Sequence, residues 1–80
     1  MAIGFVLITV APVRENYVYN ELSKEPEIIE LQPLLGKYDL IAKIEAKYYE
    51  KLGSIIINKI RSISGVVGTK TLTGTGLKGY

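Results

Sequence analysis

The sequence contains no cysteine, no histidine and no tryptophan, and Asp39 is its only aspartate. Without cysteine and histidine, disulfides, the usual zinc ligands and the common nucleophile triads are excluded. The glutamates fall mostly on predicted helix surfaces and strand edges, so no general acid–base pair stands out. We therefore expect no catalytic residue, no metal site, no cofactor and a protein that is not an enzyme.

Charge of one sign is also lacking, because ten basic and eight acidic residues are spread along the chain for a net charge of +2. A nucleic-acid-binding protein would normally show a basic stripe, so we expect no direct nucleic-acid contact. The apolar stretch from Met1 to Val10 has no basic residue before it and is too short to cross a bilayer. We expect a cytoplasmic protein without membrane contact, which the absence of cysteine also fits.

The chain is short, at 80 residues, but 48% of them are hydrophobic. A domain of this size buries only about 60% of the surface that its unfolded chain exposes, and disulfides or metals cannot add stability here. Oligomerisation is the remaining common route to more burial, so we expect a homo-oligomer. We predict a single domain over residues 1–80, with a core at 1–72 and a glycine-rich tail at 73–80.

Apolar periodicity predicts six elements in the order strand, helix, strand, strand, helix, strand. The predicted elements are a strand at Ala2–Val10, a helix at Val13–Ser23, a strand at Ile28–Pro33, a strand entered from Gly36 and running to Ala46, a helix at Tyr48–Ser62 and a strand at Val66–Leu72. The first strand is apolar on both faces, which indicates a central position, and Pro33 places the second strand at an edge.

This order predicts an α+β fold, a ferredoxin-like βαββαβ sandwich with a four-stranded antiparallel sheet and two helices on one face. The other face must then expose an apolar set of the first strand, either Ile3, Phe5 and Leu7 or Val6, Ile8 and Val10. Such a patch usually marks an interface, so we expect dimerisation through the sheet. The alternative is that the tail folds back across this face.

One turn carries the residues best suited to bind a small ligand. Gly36, Lys37, Tyr38 and Asp39 form a glycine turn with a carboxylate at the start of a strand. The carboxylate can receive an ammonium group while backbone N–H groups of the turn hold a carboxylate, and these are the two charges of a free amino acid. Thr69, Thr71 and Thr73 share one face of the last strand and would add hydroxyl groups. The alternative is that Asp39 caps the turn and the threonines are ordinary strand residues.

Three stretches together resemble the effector domain of the Lrp/AsnC transcriptional regulators, called the RAM domain. They are Ile3–Ile8, Leu35–Ile44 with its glycine–aromatic–aspartate turn, and Ile60–Thr71 with its glycine–valine–threonine strand. The resemblance extends to about Leu72 and implies the same βαββαβ fold. It also implies dimers that assemble further, typically into octamers, with small effectors such as amino acids bound between dimers. By resemblance, the effector site would comprise Leu35, Gly36, Tyr38, Asp39, Thr69 and Thr71.

The family's regulators begin with a helix-turn-helix domain, whereas here Met1 leads directly into the first predicted strand. The resemblance thus predicts a stand-alone amino-acid-binding module that regulates amino-acid metabolism or transcription indirectly, through co-assembly with full-length Lrp/AsnC regulators. One alternative is a small enzyme of the dimeric α+β barrel type, with isomerase or monooxygenase chemistry. Another alternative is a purely structural oligomer.

Overall fold

The computed structural model describes residues 1–73, so most of the predicted tail, residues 74–80, lies outside the described part. The elements are β1 (Ala2–Val10), α1 (Glu15–Ser23), β2 (Ile28–Pro33), β3 (Leu40–Ala46), α2 (Tyr49–Ile55), which continues as a π-helical segment (Ile56–Ile60), and β4 (Val66–Thr73). This order confirms the predicted βαββαβ sequence of elements.

The strands form one antiparallel sheet in the order β2-β3-β1-β4. The strand that is apolar on both faces, β1, is central, and the strand that ends in Pro33 is at an edge, as predicted. Ile8 of β1 lies opposite Leu40 on one side and Thr69 on the other, which fixes the register of the three strands. The ferredoxin-like fold is confirmed.

The two faces of the sheet differ in what covers them. Every second residue of β1 and β3 is buried, beginning at Ala2 and at Leu40, and these residues form one core with α1 and α2. The helices contribute Val18, Leu22, Leu52, Ile55, Ile56 and Ile60 to that core. Full burial of one such aliphatic side chain contributes about 1.5–3 kcal/mol, so this core dominates the stability of the fold.

The opposite face, which we call the open face, carries half-buried side chains. Its members on the central strands are Ile3, Phe5, Leu7, Thr9, Ile41, Lys43 and Glu45. Of the two apolar sets of β1 that sequence analysis left open, the set left uncovered by the helices is therefore Ile3, Phe5 and Leu7. The ammonium group of Lys43 lies 5.8 Å from the centre of the Phe5 ring.

The helices are shorter than predicted. The first begins at Glu15 rather than Val13, because Val13 has a φ of 72° that interrupts the helical run. The second begins at Tyr49 and ends in the π-helical segment, where the N–H of Arg61 donates to the carbonyl oxygen of Ile56 at 2.8 Å. Neither helix within residues 1–73 has the length and apolar character needed to span a membrane.

Candidate functional site

The β2–β3 turn (residues 34–39) has a defined backbone geometry. The N–H of Leu34 donates to the carbonyl oxygen of Asp39 at 2.8 Å and closes the turn. Gly36 has a φ of 114°, a conformation that side chains disfavour, so glycine is needed there. Leu35 is fully exposed, and the ammonium group of Lys37 lies 5.8 Å from the centre of the Tyr38 ring. The turn therefore projects an apolar side chain and a cation outward.

Asp39 joins this turn to the end of β1. Its backbone N–H donates to the carbonyl oxygen of Ile8 at 2.9 Å, and its Oδ2 atom accepts the N–H of Val10 at 2.7 Å. A hydrogen bond to a charged group contributes about 1.5–3 kcal/mol. The carboxylate thus has a structural role that agrees with the capping alternative, although the bond is to β1 rather than within the turn.

A cleft of about 370 Å³ opens between this turn and α1. It is lined by Glu15, Asn16, Tyr19, Pro33, Leu34, Asp39 and Leu40. Because Asp39 is only partly buried, its carboxylate can face a ligand in the cleft while Oδ2 keeps its bond to Val10. Asn16 and Tyr19 were not predicted as lining residues, and their spacing of three residues on one helix face was the signal available.

Thr69 and Thr71 lie on β4, on the helix-facing side of the sheet. They are opposite Ile8 and Val6 of β1, and β1 separates them from the β2–β3 turn. Two strand spacings correspond to about 10 Å, which is the separation expected between Leu40 and Thr69 across Ile8. One chain therefore presents the predicted site residues as two groups, Leu35–Asp39 and Thr69–Thr71, rather than as one pocket.

A pair of oppositely charged residues with shifted pKa values, Lys59 and Glu27, lies away from the β2–β3 turn. The ammonium group of Lys59, in the π-helical segment, forms ion pairs with the carboxylates of Glu25 at 3.3 Å and Glu27 at 3.2 Å. Both glutamates lie in the loop between α1 and β2. A backbone hydrogen bond at Glu27 and the Lys59 ammonium hold the pKa of Glu27 below its usual 4.5. The same two carboxylates raise the pKa of Lys59 above 10.5. These three residues, which we call the Lys59 cluster, join the π-helical segment to the loop between α1 and β2.

Two further observations bear on catalysis and metal binding. Within residues 1–73, no polar or charged side chain is buried, and no group of three or more acidic residues is arranged to hold a metal ion. A deep cavity lined by a buried carboxylate would favour the barrel-enzyme alternative, and the described residues offer no such carboxylate.

Comparison with known proteins identifies the domain. The family model of the Lrp/AsnC ligand binding domain matches residues 3–73. The HTH-type transcriptional regulator FL11 of Pyrococcus horikoshii is 37% identical over 70 residues, which are 88% of this chain and 46% of FL11. The chain spans about half the length of the curated relatives it matches.

Solved structures agree with this result. The hypothetical protein PHS023 from Pyrococcus horikoshii is 32% identical with a TM-score of 0.86, over 92% of this chain and 89% of that chain. The L-Met complex of transcriptional regulator NMB0573 from Neisseria meningitidis has a TM-score of 0.82 over 91% of this chain and 49% of that chain. Its identity is 13%, so that likeness concerns the fold alone. By the family model and the identity to FL11, the chain belongs to the Lrp/AsnC family as its ligand binding domain.

Proposed function

We propose that this domain binds a small amino-acid effector at the β2–β3 turn. The observation that carries the proposal is Asp39, whose carboxylate is fixed by Val10 at 2.7 Å beside an open cleft. The carboxylate receives the effector's ammonium group, and backbone N–H groups of the turn hold the effector's carboxylate. The cleft then takes the effector's side chain. The Neisseria regulator of the same fold is described as an L-Met complex, which supports an amino acid as the class of ligand proposed here.

A neighbouring copy completes this site. In one chain Thr69 lies about 10 Å across the sheet from Leu40, which follows the turn, and Thr71 lies two residues farther along β4. We therefore propose that Thr69 and Thr71 belong to the site of an adjacent protomer. The open face offers the surface for a first dimer, since Phe5, Leu7 and Leu72 expose apolar area there. Dimers then assemble into a higher oligomer, such as an octamer, with effectors between them.

We propose that this domain regulates transcription by assembling with longer regulators of the family. The named relatives are transcriptional regulators about twice as long as this chain. Copies of this domain that join the oligomer of such a regulator would change its effector occupancy and its assembly state. Transcription of amino-acid metabolism genes would thereby be regulated without direct DNA contact by this domain.

Calorimetric titration with each standard amino acid tests effector binding. Asp39→Asn keeps an oxygen to accept the Val10 N–H and removes the negative charge, so we expect the fold to persist and affinity to fall about 10- to 100-fold. Glu50→Gln is the matched control, because it removes one exposed carboxylate at the start of α2. Absence of heat and of any change in assembly with every amino acid at millimolar concentration would contradict the proposal.

A further inference from the structure

The cleft between the β2–β3 turn and α1 carries a negative charge on each of its two walls. Asp39 contributes a carboxylate from the turn, and Glu15 contributes a second one from the first turn of α1. The other residues that line the cleft are uncharged: Asn16, Tyr19, Pro33, Leu34 and Leu40. Two carboxylates without a cation give the cleft a negative lining, although the whole chain has a net charge of +2.

Within residues 1–73, neither of these carboxylates takes part in an ion pair. The ion pairs of this part of the chain are formed by Lys24 and Lys59, with carboxylates outside the cleft. The Asp39 carboxylate accepts the Val10 N–H through Oδ2, which leaves Oδ1 for a donor on a ligand. The cleft therefore offers two carboxylates, from Glu15 and Asp39, that can each receive a positive charge.

The basic side chains nearest to these residues in the sequence have other partners. The guanidinium group of Arg14 lies 4.2 Å from the centre of the Tyr17 ring and donates to the hydroxyl oxygen of Ser64 at 3.4 Å. The ammonium group of Lys37 lies 5.8 Å from the centre of the Tyr38 ring, and Lys37 does not line the cleft. The cleft lining thus receives no positive charge from these two residues, and a ligand can supply it.

Apolar side chains complete the lining of the cleft. Pro33, Leu34 and Leu40 provide a surface on which an alkyl chain can pack while charged groups at its ends reach the carboxylates. The volume of about 370 Å³ falls in the range of about 300–1,000 Å³ that is typical of small-molecule sites. The charge and the lining together suit a small molecule with a cation at each end of an alkyl chain.

We propose that the cleft selects a dication, in which two ammonium or guanidinium groups are joined by an alkyl chain. One cationic group binds Asp39 and the other binds Glu15. Such selection rests on the proposed function and narrows its effector to a basic amino acid such as lysine, whose α-ammonium group binds Asp39. A diamine such as cadaverine carries the same two cations without the carboxylate.

Calorimetric titration of the full chain with lysine and with norleucine tests this selection. Norleucine is lysine without its terminal amino group, so the two ligands differ in the second positive charge. We expect lysine to bind about 3- to 5-fold more tightly, because its second cation pairs with the exposed carboxylate of Glu15. If norleucine bound as tightly as lysine, dication selection would be overturned while the proposed amino-acid effector would stand.

Glu15→Gln assigns the second cation to its partner. The variant removes the negative charge at the entrance of α1, so we expect the ratio of lysine to norleucine affinity to fall to about 1. Glu50→Gln is the matched control, because Glu50 also lies in the first turn of a helix but does not line the cleft. It should keep the ratio of the parent. A ratio that Glu15→Gln left at the parent value would overturn the proposal.

Titration with cadaverine distinguishes the two sources of a dication. Cadaverine is lysine without its carboxylate, so it lacks the group that the backbone N–H groups of the turn would hold, and we expect weaker binding than for lysine. Binding of cadaverine at least as tight as that of lysine would support dication selection and overturn the amino-acid effector. Binding of another amino acid, with no heat from lysine or cadaverine, would overturn dication selection alone. Absence of heat with every amino acid and with cadaverine would overturn both proposals.

Discussion

At the residue scale, Asp39 shows how a side chain predicted from the sequence gains a second role in the fold. The glycine turn and its carboxylate were predictable, because the residue types and their spacing are local. The bond from Val10 to Oδ2 was not, since it depends on the register between β1 and a turn 29 residues later. Because of this bond, Asp39 contributes to the stability of the fold as well as to the proposed effector site.

Asp39→Ala should therefore destabilise the domain as well as weaken effector binding. Removal of the carboxylate leaves the Val10 N–H without its acceptor, and we expect a loss of about 1.5–3 kcal/mol in the free energy of unfolding. Asp39→Asn should lose less than half of that amount, because its amide oxygen can still accept. Urea unfolding followed by circular dichroism measures both. Equal stability of the alanine variant and the parent would show that this bond contributes nothing.

Two glycines with positive φ offer a matched comparison of strain and crowding. Gly36→Ala adds a Cβ in open space at a φ of 114°, so we expect a cost of about 1–2 kcal/mol from the backbone alone. Gly65→Ala has a φ of 105° and also brings its Cβ within 2.9 Å of the Arg14 Cβ. The additional crowding, which extends to Val18 in the core, should add about 1–3 kcal/mol. Denaturant unfolding measures the free energy of unfolding of both variants. A larger loss for Gly36→Ala than for Gly65→Ala would contradict this expectation.

At the element scale, periodicity predicted every described helix and strand but not every boundary. Alternation in β1 and β3 matched the observed burial, because only one face of each strand meets the helices. The π-helical segment was not predictable, since Leu52, Ile55, Ile56 and Ile60 also fit an uninterrupted α-helix. The bond from Arg61 to Ile56 closes this last turn, whose Ile56 and Ile60 side chains are buried in the core.

The Lys59 cluster predicts how stability depends on pH. The pKa of Glu27 is lower in the folded protein than in the unfolded chain, so its stabilisation is present above the usual 4.5 and is lost as pH falls through the lowered value. Lys59→Met should remove the part of this pKa shift that Lys59 causes. The free energy of unfolding should then decrease less between neutral pH and about pH 3. Urea unfolding across this range measures the slope. The effect is small because these side chains are partly exposed.

Lys47→Met is a suitable control for this pH dependence, because it removes an exposed lysine outside the cluster. Its acid slope should match that of the parent. The pKa of Lys59 is raised rather than lowered, so it acts at the other end of the pH range. Its contribution to the free energy of unfolding is present below 10.5 and is lost as pH rises through the higher folded value. Identical slopes for the parent and Lys59→Met at both ends of the range would contradict the assigned role.

At the scale of the whole molecule, the fold could be predicted from one chain, whereas the complete site could not. A strand apolar on both faces had to be central, and the order of elements then left one arrangement. The predicted site residues divide into two groups across β1, so completion of the proposed site depends on how copies meet. Because one face of β1 is buried and the other is partly exposed, we propose the open face as the surface through which copies meet.

Dimerisation through the open face can be tested with a charged residue in place of Leu7. Leu7 lies between Ile41 and Lys70 on this face and is only half-buried within one chain. Leu7→Glu should leave the monomer folded, because the new carboxylate would lie opposite Lys70, where opposite charges attract. Burial of that charge at a sheet-to-sheet interface would be costly, so we expect monomers in sedimentation and light scattering. Asn20→Glu, on the exposed surface of α1, adds the same charge and should keep the oligomer. Retention of the parent assembly by Leu7→Glu would assign dimerisation to another surface.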